Sequence, residues 1–356
     1  MSIPASRTAV IAALALAVSV FVAPAATAQE PSRPDPRGVD PASPNPLEGL
    51  RFFVDHEAPA WRQYRYYRQH HRGAAASQIW KLAKEPKFRW FGRWDRPLAL
   101  RVHDYIGRAE AQGAVPLMVV LRHQGKKCGG GYGGGDAAED ARTRSWYRAF
   151  ASAVGDSRVV IGFEPDSLGT LDCLRGDRRQ ARLSLLRYGV DVLSKLPGAT
   201  IYLEGGASDW EPAARTAKQL RYIGISKVRG FMLNVTHFDW TGNNILHGLQ
   251  ISRMTGGKPF VVSTSFNGRG PVHQWKVIAG HRRRINVWCH PPRRGLGPRP
   301  TTDTANRKAD AYLWIGRPGY SAGACNGGPL PVGTWWPARA LMYARYATGW
   351  VFPPSR

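Results

Sequence analysis

The stretch 159-VVIGFEPDSLG-169 decides the fold class of this chain. Its first five residues, Val159–Phe163, form an uninterrupted apolar run that ends at a turn signal. Such a run is typical of a strand that is buried on both faces of a parallel sheet. Glu164 and Asp166 follow it directly, at the point where the strand leaves the sheet. In parallel α/β architectures this edge is where functional side chains gather.

The same pattern recurs along the chain, and amphipathic stretches between some of the apolar runs predict helices. Alternating strand and helix signals predict a parallel α/β fold, and this many repeats in one domain favour a (β/α) barrel. The predicted strands are Arg51–Val54, Pro116–Leu121, Val159–Phe163, Thr200–Leu203, Phe231–Val235, Pro259–Thr264, Ile285–Trp288 and Ala311–Ile315. The predicted helices include Thr143–Val154, Ala181–Ser194 and Ala213–Tyr222.

The N-terminal region differs in composition from the rest. An apolar run over residues 9–23 and the A-x-A pattern Ala26–Ala28 predict a secretory signal peptide over residues 1–28. The run is short for a bilayer, which needs about 20 apolar residues, so we expect no membrane insertion. Residues 29–46 are rich in proline and predict a stiff linker. Residues 47–356 then form one large domain of a secreted protein, which we expect to be a monomer.

The four cysteines are Cys128, Cys173, Cys289 and Cys325. An even number in an exported chain predicts two disulfides, and three pairings are possible. Zinc is the alternative, but no two of these cysteines form a C-x-x-C pair, so we predict no metal site. Nothing in the sequence calls for a cofactor.

The chain is strongly basic, with a formal charge of +25 and a pI near 10.6. Such a charge favours contact with polyanions such as nucleic acid or acidic polysaccharide. The arginines are scattered, however, with one short cluster at Arg282–Arg284, and no common nucleic-acid module is present. We therefore expect a solvated basic surface and no nucleic-acid partner, with a role toward anionic wall polymers left open.

The residues that follow the predicted strands have an unusual composition. They combine aromatic rings, amides and carboxylates on what should be one rim, and flat rings of this kind stack on sugar faces. We therefore expect a polysaccharide partner. The rim segments are Lys126–Cys128, Glu164–Asp166, Glu204–Gly206, Asn234–His237, Ser265–Asn267, Trp288–His290 and Gly316–Asn326.

Several of these segments, taken in order, resemble glycoside hydrolase family 6, the cellulose-cleaving barrels. Phe163–Gly169 is similar to the E-P-D-[AS]-L motif of that family. No single block is decisive, but the ordered set is specific. The other matching blocks are Gly230–Val235, Lys258–Val261, Trp288–Cys289 with Pro291–Pro292, Gly297–Thr301, Cys325–Pro329 and Thr334–Pro337.

The resemblance implies a fold and an activity. It implies a distorted, partly open parallel (β/α) barrel that hydrolyses β-1,4-glucosidic bonds in cellulose-like chains with inversion. It also implies the disulfides Cys128–Cys173 and Cys289–Cys325. The general acid of the family corresponds to Asp166.

The resemblance also implies sugar-binding positions. The sugar-stacking tryptophans of the family correspond to Trp90, Trp210 and Trp288, although core packing is the alternative for any one of them. Asn234 and His290 lie on the same predicted rim, and we include both as candidate substrate contacts.

The chain departs from the family at charged positions. Lys127 stands where the family has a carboxylate near the acid, and a lysine there favours the ionised form of Asp166. Ala322 replaces an aspartate that is often proposed as the base. Gly316 and Tyr320 replace two charges that bind sugar. An inverting hydrolase needs two carboxyl groups about 6.5–9.5 Å apart.

The base is therefore open at the sequence level. Glu204 and Asp209 are our candidates, with Asp136 a further one. The first hypothesis is a working glycosidase with a displaced base and weak or altered activity. The second is a non-catalytic protein that binds carbohydrate or cell-wall polymer. Histidines at the same rim that could also titrate are His123, His237 and His290.

Overall fold

The computed structural model of the protein describes residues 44–123, 134–304 and 306–352. Nine strands lie within these ranges, and most are short apolar runs of four to six residues. The strands are β1 (Arg89–Gly92), β2 (Leu117–Leu121), β3 (Val159–Phe163), β4 (Ala199–Glu204), β5 (Gly230–Leu233), β6 (Phe260–Ser263), β7 (His273–Ile278), β8 (His281–Asn286) and β9 (Ala309–Leu313).

Eight α-helices accompany the strands in the described ranges. Helices α3 to α7 alternate with strands β1 to β6, and neighbouring members of this set pack against one another. The helices are α1 (Pro59–Gln69), α2 (Gly73–Ala83), α3 (Leu98–Glu110), α4 (Ala137–Val154), α5 (Gly176–Leu193), α6 (Ala213–Ile223), α7 (Thr241–Met254) and α8 (Pro337–Arg345). None of these helices has both the length and the apolar character of a membrane span.

Seven strands form one parallel sheet in the order β1-β2-β3-β4-β5-β6-β9. Successive side chains of a strand point to opposite faces. In β2, Leu117 and Val119 belong to the apolar cluster inside the curve of the sheet, whereas Met118 and Val120 pack in the cluster that also contains residues of α3 to α7. Both faces are therefore apolar, which explains why the strands are continuous hydrophobic runs.

The two edges of the sheet approach each other without forming a ladder. The Phe88 N–H donates to the Trp314 carbonyl at 3.2 Å, and the Trp90 Nε1–H donates to the Ile315 carbonyl at 2.8 Å. These bonds link the chain around β1 to the chain just after β9. The architecture is thus a curved, partly open parallel barrel, as predicted.

A buried polar network crosses the interior of the barrel. Arg229 donates to both carboxylate oxygens of Asp310, in each case at 2.9 Å, and the Tyr202 hydroxyl donates to the same carboxylate at 2.6 Å. Burial raises the pKa of the Tyr202 phenol, so the group stays a donor. The network joins β4, the residue before β5, and β9.

Two predicted strands were wrong. Arg51–Val54 forms no strand of its own and contributes one isolated bridge, from Phe52 to Val115. Ile285–Trp288 overlaps β8, which pairs antiparallel with β7 and lies outside the barrel sheet. A short apolar run does not show whether its strand is buried, and here β7 and most of β8 are exposed.

Strand β1 and the β7–β8 hairpin were not predicted. Strand β1 spans four residues and begins with an arginine, so its apolar signal is brief. The hairpin turns at Ala279 and Gly280, whose φ angles are 52° and 77°. Positive φ at both turn residues is the type I′ geometry, whose twist matches that of paired strands. The sequence Ala-Gly lacks the asparagine or aspartate that usually signals this turn.

Residues 1–43 lie outside the described residues, so the signal peptide and the linker remain predictions. All of the described residues belong to one compact unit.

Candidate active site

A cleft with a volume of about 810 Å³ opens where the parallel strands end. Its wall is mostly aromatic and apolar, with a few polar side chains, which is typical of a ligand pocket. We call it the cleft. Its lining includes Trp90, Trp94, Leu121, Pro165, Asp166, Thr236, Trp288, His290, Gly316, Arg317, Tyr320, Ser321, Ala322 and Gly323.

Asp166 lies in this wall, just beyond β3. Its backbone has a φ of 68°, a left-handed conformation that non-glycine residues adopt at an energetic cost. The Thr236 hydroxyl donates to Oδ1 of Asp166 at 2.6 Å, so a residue beyond β5 helps to orient the carboxyl group. The side chain is largely buried yet borders the cleft. Asp166 therefore borders the cleft, and its role as the general acid stays a prediction.

Glu164, two residues earlier, points away from the cleft lining. It accepts hydrogen bonds from the backbone N–H groups of Arg122 at 2.7 Å and His123 at 2.9 Å, and from the Tyr147 hydroxyl at 2.7 Å. Burial raises the pKa of the Glu164 carboxyl. Glu164 thus ties the end of β2 to the end of β3 and to α4, and so supports the turn that carries Asp166.

Glu204, a predicted base, has a similar supporting position. Its carboxylate accepts from the backbone N–H groups of Leu168 at 2.7 Å, Gly206 at 2.9 Å and Gly169 at 3.4 Å. Burial, and next the charge of Asp166, raise the pKa of Glu204 to about 7. Glu204 does not line the cleft. It holds the loop after Asp166 in place.

Asp209, the other predicted base, also lies outside the lining of the cleft. It pairs with Nδ1 of His237 at 2.8 Å and accepts from the Asn286 amide at 2.6 Å. These bonds connect the loops after β4 and β5 with the end of β8. Asp136 caps the N-terminus of α4 by accepting from the Glu139 N–H at 2.8 Å.

Asp166 is thus the one carboxylate among the described residues that line the cleft. Residues 124–133, which the structure does not describe, contain no Asp or Glu. They include Lys127, so its predicted effect on Asp166 lies outside the described residues. Ala322 does line the cleft at the position of the missing family aspartate. Within the described lining, Asp166 is therefore the candidate acid and no second carboxylate is present.

His290 borders the cleft next to Ala322. Its Nε2 accepts from the Ala322 N–H at 2.9 Å, so this nitrogen carries no proton while the bond exists. The ring stands edge-on to Trp336, with the centroids 5.3 Å apart. His290 thus contacts the backbone where the family aspartate would sit.

The disulfide Cys289–Cys325 is present, as the resemblance implied. It joins the segment after β8 to the loop after β9, beside His290. The other implied pairing involves Cys128, which lies outside the described residues. The described residues offer one grouping with metal-ligand atoms, which consists of Cys289, His290 and Cys325. Both sulfur atoms are consumed by the disulfide, so no thiolate remains for a metal.

Two tryptophans present open rings at the cleft. Trp288 is 41% exposed and Trp94 is 44% exposed, and both line the wall. Trp288 was predicted to stack on sugar, and its placement is compatible with that role. Trp94 was not predicted to face the cleft. The rim was identified from the residues that follow predicted strands, and strand β1, which precedes Trp94, was not predicted.

Trp90 and Trp210, the other two tryptophans predicted to stack on sugar, are covered by other side chains. Trp90 is 9% exposed, and the Arg317 guanidinium lies 4.8 Å from the centroid of its ring. Trp210 stacks on His237 with the centroids 4.7 Å apart, and it does not line the cleft. A sugar can use the Trp90 face beneath Arg317 only if the guanidinium moves.

Asn234, a predicted substrate contact, is buried outside the cleft lining. Its amide donates to the carbonyls of Asp239 at 3.0 Å and Ser263 at 3.1 Å. It joins the ends of β5 and β6 and shapes the rim without facing the cleft.

Arg317 adds a cation to the cleft that the sequence did not suggest. Its guanidinium lies 4.8 Å from the Trp90 ring centroid and 5.4 Å from that of Tyr320. Burial lowers the pKa of Arg317, because charge is costly to desolvate. The family positions Gly316 and Tyr320 carry no charge here, so Arg317 alters the electrostatics of this end of the cleft.

Comparisons with known proteins agree with this architecture. The family model described as "Glycosyl hydrolases family 6" matches residues 47–347. Endoglucanase A of Cellulomonas fimi is 36% identical over 308 residues, which cover 85% of this chain and 62% of that protein. Endoglucanase 1 of Streptomyces halstedii is 29% identical over 262 residues, which cover 72% of this chain and 77% of that protein.

Solved structures show the same fold. The endoglucanase Cel6 of Mycobacterium tuberculosis, in complex with methyl-cellobiosyl-4-deoxy-4-thio-β-D-cellobioside, aligns with a TM-score of 0.76 at 36% identity, covering 85% of this chain and 99% of that one. Endoglucanase CEL6B of Humicola insolens aligns with a TM-score of 0.68 at 18% identity, covering 86% and 99%, and supports the fold alone. This chain spans less than two thirds of the Cellulomonas relative. By the family match and the identity to these relatives, the chain belongs to glycosyl hydrolase family 6.

Proposed function

We propose that this protein hydrolyses β-1,4-linked glucan chains, with Asp166 as the general acid. The observation that carries the proposal is the position of Asp166, which borders an aromatic-lined cleft at the end of β3 and is oriented by Thr236. The relatives named above are endoglucanases, which supports the same substrate class.

The chemistry follows from the position of the carboxyl group. Protonated Asp166 gives its proton to the leaving glycosidic oxygen while a water attacks the anomeric carbon from the opposite face, which inverts the configuration. The bond from Thr236 to Oδ1 limits rotation of the carboxyl group. The open rings of Trp288 and Trp94 offer faces on which sugar units stack.

We further propose that turnover is slow. General acid–base groups each contribute typically about 10²–10⁴-fold to a rate. The described cleft lining supplies one carboxylate, and the carboxylates of Glu204 and Asp209 are engaged by other protein groups outside it. The described lining therefore offers the attacking water no carboxylate base.

The second candidate function is glycan binding without hydrolysis. The single carboxylate in the described lining favours this function. A cleft with one carboxylate and a buried arginine still offers a surface that binds glycan, but it lacks the second carboxyl group of an inverting pair. The aromatic wall would then retain a sugar chain that Asp166 cannot cleave.

Hydrolysis of cellotetraose and cellohexaose by the wild type and by Asp166→Asn distinguishes the two. We expect slow wild-type cleavage, a loss of at least about 100-fold in Asp166→Asn, and α-anomeric products by NMR. Asp156→Asn, at an exposed carboxylate outside the cleft, is the matched control and should keep full activity. Wild-type binding without any cleavage would assign the protein to the binding function, and cleavage that persists in Asp166→Asn would remove Asp166 as the acid.

We also propose that the protein is exported and acts as a monomer outside the cell. The signal-like pattern over residues 1–28 and the disulfide Cys289–Cys325 support export. A secreted product whose N-terminus is Gln29 is the expected result of N-terminal sequencing. A product that retains residues 1–28 would contradict export with cleavage of the signal peptide. A dimer in light scattering would contradict the monomer.

A further inference from the structure

The β7–β8 hairpin stands apart from the barrel sheet. It is a separate two-stranded sheet inserted between β6 and β9, where the preceding connections are helices. Every residue of β7 is exposed, as are the first four of β8. Trp275 and Val277 are 59% and 72% exposed, which is costly for large apolar side chains.

The hairpin concentrates positive charge. Lys276 and Arg282–Arg284 are four cations within twelve strand residues, and no Asp or Glu occurs anywhere from Trp240 to Thr302. Lys276 is directly opposite Arg283 in the strand pairing. Like charges in that position destabilise a sheet. The arrangement therefore lowers the stability of the free hairpin, and an anionic ligand would relieve the repulsion.

One face of the hairpin combines aromatic surface with cations. Trp275, Val277, Arg282 and Arg284 share this face, because alternate residues of paired strands point the same way. The Arg282 guanidinium lies 5.0 Å from the centroid of the Trp275 ring, and Arg284 contacts Nδ1 of His273 at 3.0 Å. A flat ring flanked by cations matches a sugar unit that carries a carboxylate.

The hairpin is fastened at the rim of the cleft. Val287 donates to the Val272 carbonyl at 2.7 Å, and the Asn286 amide donates to Asp209 at 2.6 Å. Two residues beyond β8, Trp288 lines the cleft. The exposed hairpin and the cleft are therefore continuous along the chain, and a polymer in the cleft lies close to the root of the hairpin.

We propose that the β7–β8 hairpin is a second glycan-binding site, which takes an acidic polysaccharide. Carboxylates of the polymer pair with Arg282 and Arg284, and a sugar ring stacks on Trp275 on the same face. Lys276 and Arg283, on the opposite face, add to the positive potential of the hairpin. The site holds the polymer beside the cleft and acts whether or not Asp166 cleaves it. Continuity with Trp288 and the aromatic face favour a glycan over nucleic acid.

The test compares binding of two soluble glucans, anionic carboxymethyl-cellulose and neutral hydroxyethyl-cellulose, in affinity electrophoresis. All proteins carry Asp166→Asn, so that the probes stay intact and the result is independent of hydrolysis. The hairpin variant is Lys276→Gln with Arg282→Gln, Arg283→Gln and Arg284→Gln. The matched control is Lys218→Gln with Arg158→Gln, Arg187→Gln and Arg253→Gln, at exposed positions elsewhere. Each lowers the formal charge by four, from +26 in the Asp166→Asn parent to +22.

We expect the hairpin variant to bind carboxymethyl-cellulose about tenfold more weakly at low salt, with a difference that shrinks as salt screens the charges. The control should bind as the parent does, and neutral hydroxyethyl-cellulose should distinguish none of the three. Equal losses in both variants would overturn the proposal, because net charge alone would then explain binding. Unchanged binding in the hairpin variant would also overturn it.

Two further arms keep the result decisive. Trp275→Ala alone should weaken binding of carboxymethyl-cellulose several-fold, through the lost ring face, and leaves every cation in place. If the hairpin variant with its four substitutions does not fold, Trp275→Ala still tests the proposal. A short duplex DNA is the competitor. The DNA and the glucan are compared at equal concentrations of negative charge. If DNA displaces the glucan, and the hairpin variant no longer binds DNA, the hairpin is a nucleic-acid site and the acidic glycan is rejected.

Discussion

Trp288 and Trp210 differ in how much of the indole ring is open to a ligand. Trp288 is 41% exposed in the cleft wall, whereas Trp210 stacks on His237 and lies outside that wall. The sequence treats the two alike, because both occupy positions that match sugar-stacking tryptophans. Their neighbours in space give them different roles.

Trp288→Ala should therefore weaken binding of cellotetraose by about 1 kcal/mol or more, while the free energy of unfolding changes little. Trp210→Ala should do the reverse, because it removes packing against His237 and Gly169 and leaves the cleft surface intact. Calorimetric titration and urea unfolding of both variants measure the two effects. Equal losses of affinity would show that Trp210 also contacts the sugar.

Glu204 stabilises the loop that follows β3. Three backbone N–H groups, two of them in the loop after Asp166, converge on its carboxylate. Desolvation outweighs these bonds and raises the pKa of Glu204 to about 7. The loop is therefore held by a group that changes charge near neutral pH.

This raised pKa has a definite sign for stability. Between pH 4.5 and 7 the unfolded chain has an ionised Glu204 and the folded chain a protonated one, so the folded state binds more protons and loses stability as the pH rises. Glu204→Gln lacks this titration. The wild type should lose stability relative to Glu204→Gln by on the order of 3 kcal/mol across this window, as an upper limit. Urea unfolding at several pH values measures it, and parallel curves for the two proteins would contradict the assignment.

At the scale of the whole molecule, Asp310 links strands that lie across the barrel. Arg229 and Tyr202 both donate to its carboxylate, so one buried anion joins β4, β9 and the start of β5. A buried charge that loses its partner pays its desolvation without compensation. The network therefore matters more for the fold than any ion pair on the surface.

Asp310→Asn should destabilise the protein by about 3–5 kcal/mol, because Arg229 remains buried without its counter-ion. Asp303→Asn, at an exposed carboxylate nearby in sequence, is the matched control and should change stability by less than about 0.5 kcal/mol. The midpoint of urea unfolding reports both. A loss below 1 kcal/mol for Asp310→Asn would mean that water or another group compensates Arg229.

Much of the fold was predictable from the sequence because a buried parallel strand has a strong local signature. Val159–Phe163 is apolar at every position, and the structure begins and ends β3 at the same residues. Strand β1 escaped prediction because four residues that begin with arginine give little signal. The β7–β8 hairpin escaped because a strand rich in arginine and lysine shows the composition of a loop.

The sequence by itself determined the parallel barrel, the family, the disulfide Cys289–Cys325 and the rim position of Asp166, because each depends on residues close in the chain or on an ordered set of motifs. Only the tertiary structure decided which rim residues face the cleft. Glu204 and Asn234 carry polar groups suited to a glycan site and lie at the ends of barrel strands. Their side chains nevertheless form hydrogen bonds with backbone groups of neighbouring loops and do not line the cleft. Arg317 covers the face of Trp90. Those partners lie far away in sequence, and no local pattern encodes which side of a rim a side chain will face.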